Sequence, residues 1–315
     1  MTESRRAFDA SAPTRLDFGG GWTDVPPYPE DRGGFVCNIA INRRARVHVE
    51  LGASDAGPTT DRLIRAACAH AALTNARVSL DSDFPIGAGL GGSSAAGVAL
   101  AAALHAAQNL PFTPSTLAEW SRAVEVDEMK IAGGRQDHYA AAFGGALALT
   151  FDEKTRVECI ALPAHAQHAL ERRCLLAYTG ESRISATTIT AVLDAYRDRV
   201  PRVVEALARM KALAVDMAQA LRSGDIDALS SLVDEHWHEQ RSLHPAITTA
   251  RIDTIEGAAR RAGADGLKAL GASGGGCVII FAPDDRVEAV TRAIAPMAEL
   301  LAWRLDAAGV DVAMR

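Results

Sequence analysis

A glycine-rich segment followed at once by an alanine-rich apolar run restricts the possible folds of this chain more than any other feature. Residues 85–96 read PIGAGLGGSSAA, and residues 93–109 predict a buried helix that ends at NLPFTP. Glycines let a backbone approach a ligand closely, and the free N–H groups of a helix N-terminus favour an anion. The pattern therefore indicates a phosphate-binding loop. Its alternative is a tight turn in which the two serines are plain helix N-caps.

The same glycines also fit a dinucleotide-binding pattern. Gly87, Gly89 and Gly92 satisfy GxGxxG, which in nicotinamide-dependent oxidoreductases is followed about 20 residues later by an acidic residue for a ribose hydroxyl. No acidic residue follows here before Glu119. A Walker-type loop is excluded because no Gly-Lys-Ser/Thr follows. A phosphate bound by this loop must therefore be neutralised by groups elsewhere in the chain.

Composition excludes several classes of protein. With 315 residues, 48% hydrophobic and 23% charged, the chain has the composition of a globular protein of two domains. A formal charge of −6 disfavours nucleic acid or an anionic membrane surface as the main partner. We see no membrane-spanning stretch and no apolar leader, so we expect a cytoplasmic protein, a monomer or homodimer, with a small-molecule substrate. The five cysteines lack the spacing of a zinc site.

The pattern of apolar residues changes near residue 170. Before it, residues 35–51 and RVSLDSDFP predict strands, residues 114–129 predict a helix capped by Thr113 or Ser115, and GGALALTF with RVECIAL predicts a hairpin. Beyond it, residues 186–222 are strongly helical apart from Pro201, and a helix is predicted over residues 287–305. We therefore predict an α+β protein with domains at residues 1–165 and 166–315.

Two carboxylates are candidates for work beside the phosphate. Glu125 lies on a predicted helix, and Asp137 follows the turn AGGRQ next to Arg135. A carboxylate near cations stays ionised, so it can hold Mg²⁺ or accept a hydroxyl proton. Upstream, the loop TRLDFGGGWTDVPPYPEDRGG sets Asp24 beside Trp22, as sugar subsites combine carboxylates with aromatic faces. An ordinary turn is the alternative for that loop.

Two further segments are candidates for ligand contacts. GASGGGC, residues 271–277, is a glycine-rich turn between predicted strands, where glycines signal close backbone approach, and we expect it to pack against the first loop. AYTGESRIS contains Ser182, Arg183 and Ser185 at a strand end, which suits either an anion contact or a helix cap.

In combination, TRLDFGGGWTD, PIGAGLGGSSAA and GASGGGC follow the order of three motifs of the GHMP kinases, a family that the chain resembles over nearly its full length. The resemblance implies a two-domain GHMP kinase fold, with an N-terminal domain like that of ribosomal protein S5, a ferredoxin-like C-terminal domain, and ATP with Mg²⁺ between them. Within the family, the chain looks most like the D-glycero-D-manno-heptose 7-phosphate kinase group. L-fucokinases also carry a tryptophan in the GGWTD context.

The resemblance also implies a role for individual residues. Those implied to surround the ATP phosphates are Pro85, Gly87, Ala88, Gly89, Leu90, Gly91, Gly92, Ser93 and Ser94. Ser93 and Glu125 match the family's Mg²⁺ ligands, Asp137 matches its proposed catalytic base, and Arg15 matches the arginine near the transferred phosphoryl group. Those implied to contact the sugar are Gly21, Trp22, Thr23, Asp24, Arg135, Gln136, Arg183, Gly274 and Gly275.

The chain departs from the family pattern at two places. Gly92 stands where many members carry Ser or Thr, and Gly21-Trp22 stands where galactokinases carry Glu-His, which disfavours galactose as substrate. We expect ATP-dependent phosphorylation of a sugar, at the anomeric hydroxyl of a heptose 7-phosphate. Candidate cations for its phosphate are Arg43, Arg44, Arg135, Arg183 and Lys268. The alternatives are an L-fucokinase-like enzyme and a sugar and ATP sensor without catalysis.

Overall fold

The computed structural model describes residues 6–52, 59–131, 133–181 and 186–315 of the chain. Its strands are β1 (Arg6–Gly19), β2 (Gly34–Leu51), β3 (Ala76–Ser82), β4 (Ala146–Phe151), β5 (Thr155–Ile160), β6 (Cys174–Tyr178), β7 (Gly266–Ala269), β8 (Cys277–Phe281), β9 (Glu299–Leu300) and β10 (Asp311–Met314). They form two antiparallel sheets. The first has the order β10-β1-β2-β4-β5, with β3 also paired to β2, and the second has the order β7-β8-β6-β9.

Helices connect and cover the sheets. They are α1 (Tyr28–Arg32), α2 (Arg62–His70), α3 (Gly92–Ala107), α4 (Pro114–Ala123), α5 (Gln136–Phe143), α6 (Ala164–Arg173), α7 (Ala186–Arg197), α8 (Pro201–Ser223), α9 (Ile226–Leu243), α10 (Ala250–Ala262) and α11 (Val287–Ile294). A π-helical turn, Val124–Glu128, follows α4. No helix of the described ranges combines the length and the apolarity that crossing a lipid bilayer requires.

Helix α3 lies at the centre of the first half of the chain. It packs on β1, β2, α4 and α5, and every residue from Ser94 to His105 is buried. A helix that is apolar on all faces is buried on all sides, and its many alanines let neighbouring elements approach closely. The glycine-rich loop is thus joined to a helix that the core holds in place.

Several sequence predictions agree with these elements, one is wrong, and one strand was not predicted. The buried helix, the Thr113 cap and the β4–β5 hairpin are confirmed. The helix predicted over residues 287–305 is wrong beyond Ile294, because Pro296 cannot continue it and Glu299–Leu300 pairs with β6 instead. The long strand β1 was not predicted. Its second half is buried on both faces and therefore lacks the alternation by which a strand is recognised.

The predicted domain border at residue 165 stays a prediction, but the sheets add one fact to it. The second sheet begins at Cys174. The last strand, β10, does not belong to that sheet, since it pairs with β1 in the register Phe8 opposite Met314. The C-terminal half of the chain therefore contributes an edge strand to the first sheet.

Candidate active site

The glycine-rich loop leads into the N-terminus of α3 and lines a cavity of about 670 Å³. Gly89 has φ +73°, and a Cβ atom there would lie 2.8 Å from the carbonyl oxygen of Leu270. A Cβ atom at Gly92 would lie 2.3 Å from the ring of Phe84, so this phenylalanine occupies the space that a Ser or Thr side chain would need. At Gly89 and Gly92 the loop therefore presents backbone rather than side chains to the cavity, as an anion cradle requires.

The second glycine-rich turn packs against this loop, as the sequence predicted. The N–H of Cys277 donates to the carbonyl oxygen of Ala88 at 2.7 Å. A Cβ atom at Gly276 would also meet that oxygen, at 2.8 Å. The turn connects β7 and β8, so the second sheet holds the phosphate-loop candidate in place through these contacts.

Arg15 and Asp137 form a two-point ion pair next to the loop. Arg15 Nε and Nη2 donate to Asp137 Oδ1 and Oδ2 at 2.7 and 2.9 Å, and Arg15 Nη1 donates to the Gly89 carbonyl oxygen at 2.6 Å. Arg15 is buried on β1, whereas the Asp137 side chain, in the first turn of α5, is 26% exposed. The guanidinium thus fixes the direction of a carboxylate that remains accessible.

Asp24 lies in the loop after β1 and is anchored to the start of α5. Its Oδ2 atom accepts hydrogen bonds from the N–H groups of Arg135 at 2.8 Å and Gln136 at 3.0 Å. A Cβ atom at Gly134 would lie 2.0 Å from that oxygen, so the approach requires glycine. Burial and the negative charges of Asp137 and Asp17 raise the pKa of Asp24 to about 6. The two N–H donors act in the opposite direction but do not outweigh them. Its Oδ1 atom is buried and has no partner among the described residues.

A second cavity, of about 240 Å³, lies beside the first. Its polar lining includes Arg15, Asp17, Asp24, Gln136 and Asp137, and its apolar lining includes Trp22, Val25, Ile131 and Ile189. Ser94, Glu125, Asp137 and Ala272 line both cavities. Groups bound in the two cavities would therefore meet at the carboxylates of Glu125 and Asp137.

The donors at this junction fit a magnesium ion. Ser93 is exposed at the start of α3 and lines the larger cavity together with Glu125. Glu125 Oε2 lies 2.9 Å from Nε2 of His138, whose Nδ1 lies 3.0 Å from the hydroxyl of Ser121. The described residues contain no cluster of three His, Cys, Asp or Glu side chains that could hold a metal. Mg²⁺ suits such a site, since one or two protein oxygens with phosphate oxygens and water commonly bind it.

The remaining sugar-site predictions are placed in different ways. Gly21, Trp22 and Gln136 line the smaller cavity. Thr23 is buried and its hydroxyl donates to the Gly20 carbonyl oxygen, so its side chain holds the turn. Gly275 lines the larger cavity, whereas Gly274 lines neither and donates its N–H to Ile247. Arg183, Ser182 and Ser185 lie outside the described residues.

The candidate cations for a substrate phosphate have other partners. Lys268 is buried against Asp17, Arg44 pairs with Asp306, Arg43 donates to the carbonyl oxygens of Ala302 and Asp83, and the Arg135 side chain donates to Thr155. None of these four cations lines the smaller cavity. A contact between residues that are far apart in the sequence produces no local sequence pattern. The partners of these arginines and of Lys268 could therefore not be predicted.

Sequence reasoning also missed two buried groups behind the site, Asp17 and His236, and the role of Lys268 as the partner of Asp17. Lys268 Nζ donates to Asp17 Oδ2 at 3.0 Å and to the Asp17 carbonyl oxygen at 2.9 Å, which joins the second sheet to the first. His236 Nε2 accepts the N–H of Gly20 at 2.9 Å, and burial lowers its pKa to about 3, so it stays neutral. Asp17 follows Arg15 by two positions. Had residues 14–19 been recognised as a strand, that spacing would have placed both on one face.

Comparison with known proteins identifies the family. The model of the GHMP kinases N-terminal domain matches residues 59–145, and that of the GHMP kinases C-terminal domain matches residues 217–298. A D-glycero-D-manno-heptose 1-phosphate kinase from Bacteroides thetaiotaomicron has the same fold, with a TM-score of 0.79, 24% identity and coverage of 97% of this chain and 98% of that one. The chain belongs to the GHMP kinase family, which confirms the resemblance and the two-domain α+β fold.

Curated relatives are longer than the region of similarity. A bifunctional fucokinase/GDP-fucose pyrophosphorylase of Arabidopsis thaliana is 25% identical over 86% of this chain, which spans 29% of that protein. A D-glycero-alpha-D-manno-heptose 7-phosphate kinase of Campylobacter jejuni is 29% identical over 64% of this chain and 59% of that protein. Both are similar in sequence to this chain, and both are named as kinases.

Proposed function

We propose that this chain is an ATP-dependent sugar kinase, and that its acceptor is the anomeric hydroxyl of D-glycero-D-manno-heptose 7-phosphate. The observation that carries the kinase proposal is the position of Asp137, which lines both cavities and is held by Arg15. A phosphoryl donor in the larger cavity and an acceptor hydroxyl in the smaller one would meet at this carboxylate. The choice of heptose rests on the sequence resemblance and on the heptose 7-phosphate kinase relative.

The larger cavity suits a nucleoside triphosphate. Its glycine-rich loop offers backbone N–H groups and the N-terminus of α3 to phosphates, and Leu63, Leu80 and Phe84 in its lining offer apolar surfaces to a base. Ser93 and Glu125 would hold Mg²⁺. When bound, the ion neutralises charge on the phosphate oxygens.

Asp137 acts on the acceptor. Its carboxylate orients the sugar hydroxyl and takes the proton as the oxygen forms its bond to the γ-phosphorus and the bond between that phosphorus and ADP breaks. Arg15 donates into the same region and stabilises negative charge that develops during transfer. Asp24 accepts a hydrogen bond from another hydroxyl and fixes the ring in the smaller cavity.

An L-fucokinase-like activity is the second candidate, and one observation favours it. Val25, Ile131 and Ile189 give the smaller cavity an apolar wall, which suits the methyl group of a 6-deoxysugar. Both candidates share the catalytic residues. They differ only in what the far end of the sugar contacts.

A substrate panel tests the proposal. ADP release is measured with ATP, Mg²⁺ and, in turn, D-glycero-D-manno-heptose 7-phosphate, the unphosphorylated heptose, L-fucose, D-galactose and D-mannose. We expect the highest kcat/KM with the heptose 7-phosphate, and phosphate on its anomeric carbon by NMR. A preference for L-fucose would replace the heptose with the second candidate. ATP binding without turnover of any sugar would instead identify a sensor and overturn the kinase proposal.

A further inference from the structure

We propose that Asp17 binds a hydroxyl of the sugar through its Oδ1 atom and thereby helps to select the acceptor. This inference rests on the proposed function, because it assigns a further contact in the same sugar site. Asp17 lies within the motif TRLDFGGGWTD, but none of the residue roles given above uses it. It lies on β1, two residues after Arg15, and lines the smaller cavity.

One side of the Asp17 carboxylate is firmly held, and the other is not. Oδ2 accepts a hydrogen bond from Lys268 Nζ at 3.0 Å, and the same ammonium group also donates to the Asp17 carbonyl oxygen at 2.9 Å. Oδ1 is buried and has no hydrogen-bond partner among the described residues. Because both side chains lie on strands of packed sheets, the direction of Oδ1 is fixed before any ligand binds.

The unpartnered oxygen belongs to an ionised carboxylate. Burial acts to raise the pKa of Asp17, but the charges of Lys268 and Arg15 and the hydrogen bond from Lys268 outweigh it and hold the pKa below its usual range. A buried charged oxygen that has lost water without gaining a donor destabilises the protein. Such an atom in a side chain that lines a ligand cavity is explained when the ligand supplies the missing donor.

Asp24 has the same arrangement on the same cavity. Its Oδ2 atom is held by two backbone N–H groups, and its Oδ1 atom is buried without a partner in the described residues. The charge of Asp17 also raises the pKa of Asp24, so the two carboxylates are near neighbours. A ligand that presents two hydroxyl donors would satisfy both oxygens. This requirement fits a polyhydroxylated ring and excludes an acceptor that has one hydroxyl only.

The glycine at position 21 supports the assignment. A Cβ atom there would lie 2.6 Å from Asp17 Oδ2 and 3.3 Å from Nε2 of Gln136. Galactokinases, which the loop resembles, carry Glu at this position. In this chain the space beside Gly21 is taken by Asp17, so the carboxylate comes from the strand instead of from the loop.

The test uses Asp17→Asn and the double variant Asp17→Asn/Lys268→Met. The double variant is needed because the single one leaves the Lys268 ammonium buried without its counter-ion, which can unfold the protein. The probe is the best substrate among D-glycero-D-manno-heptose 7-phosphate, L-fucose, D-galactose and D-mannose, together with its monodeoxy analogues. A hydrogen bond to a charged group predicts that KM for the sugar rises about 10- to 100-fold in both variants, while KM for ATP is unchanged.

The monodeoxy analogues separate recognition from a purely structural role. For the wild type, KM should rise by the same factor on the one analogue that lacks the contacted hydroxyl. For the variants, KM for that analogue should be no higher than KM for the parent sugar. Asp306→Asn is the matched control. It breaks another largely buried ion pair, with Arg44, away from both cavities, and should lower the melting temperature without changing KM for any sugar.

Two outcomes would overturn the inference in distinguishable ways. If the wild type phosphorylates a sugar and both folded variants keep its KM, or lose affinity equally for all analogues, Asp17 only joins the two sheets. If the wild type phosphorylates no sugar of the panel, the proposed function fails, and this inference fails with it.

Discussion

At the scale of single residues, the site depends on carboxylates whose direction is fixed by hydrogen bonds from the protein. In Asp137 both oxygens face Arg15, and in Asp24 one oxygen faces backbone N–H groups. Each carboxylate is therefore oriented by the protein before a ligand arrives. Phosphoryl transfer depends mostly on positioning and electrostatics, so these contacts matter more than the number of charges.

Replacing Asp137 tests its role directly. We expect Asp137→Asn to lower kcat by orders of magnitude and to leave ATP affinity nearly unchanged, because the amide keeps the shape but cannot take the hydroxyl proton. Steady-state ADP release and an ATP binding titration measure the two effects. Glu128→Gln is the control, since Glu128 pairs with His70 on the surface nearby. Near-normal turnover of Asp137→Asn would remove Asp137 from the mechanism.

Asp24 gives a pH-dependent prediction whose sign is set by its raised pKa. In the folded protein the carboxyl keeps its proton up to about pH 6, whereas the ordinary value is 3.8. The unfolded chain therefore loses this proton first, and the contribution of Asp24 makes stability fall as the pH rises between these values. A pKa shift of this size lowers the free energy of unfolding by about 3 kcal/mol once Asp24 is ionised in both the folded and the unfolded state.

Asp24→Asn removes that cost. At about pH 8 the variant should be more stable than the wild type by up to about 3 kcal/mol, and the difference should vanish near pH 4. Urea unfolding at the two pH values measures it. The same variant should raise KM for the sugar, because the unpartnered oxygen is lost. A variant that is less stable than the wild type at pH 8 would contradict the burial argument.

The roles of the candidate sugar-site residues stay predictions, but the structure shows which of these residues lie together. Asp24, Trp22 and Gln136 were predicted at the sugar site, and they line one cavity. Lys268 was named as a candidate cation for a substrate phosphate, yet its partner Asp17 lies 251 residues away in the sequence. The pattern of a single segment cannot reveal such a pair.

At the scale of elements, local patterns predicted most helices, but not every strand and end. The buried helix α3 and the Thr113 cap follow from composition and from a capping side chain. Strand β1 was missed because the core covers both of its faces from Thr14 onward. The helix was predicted too long because apolar residues continue beyond Ile294 and Pro296 was not taken as its end. The chain instead adds an edge strand to the second sheet.

The glycine-rich loop provides the prediction at this scale. Gly89→Ala should raise KM for ATP and lower kcat, because φ is +73° there and the new methyl group would press on the Leu270 carbonyl oxygen. Gly52→Ala is matched to it, with φ +71° but nothing within 4 Å of the added atom. The control should lose about 1 kcal/mol of stability and keep its kinetic constants. Equal kinetic changes in both variants would show that backbone strain alone is responsible.

At the scale of the whole molecule, the two sheets share one hydrophobic core. Leu16 and Phe18 of β1 pack in the same cluster as Leu176 and Ile279 of the second sheet, and α8 packs on β1, β2, β4 and β5. The phosphate-loop candidate lies where the sheets meet, tied by the hydrogen bond from Cys277 to Ala88. The halves on either side of the predicted border at residue 165 therefore share buried contacts.

A shared core predicts cooperative unfolding that responds to nucleotide as one unit. Thermal unfolding should give a single transition, and MgATP at about 100 times its Kd should add about 2.7 kcal/mol to the unfolding free energy, because it binds only the folded form. Differential scanning calorimetry measures both. ATP with excess EDTA should give a smaller shift, since Ser93 and Glu125 would then lack their ion, and Gly89→Ala should reduce the shift at the same ATP concentration. Two transitions, of which MgATP moves only one, would show that the halves unfold independently and that the nucleotide contacts one of them alone.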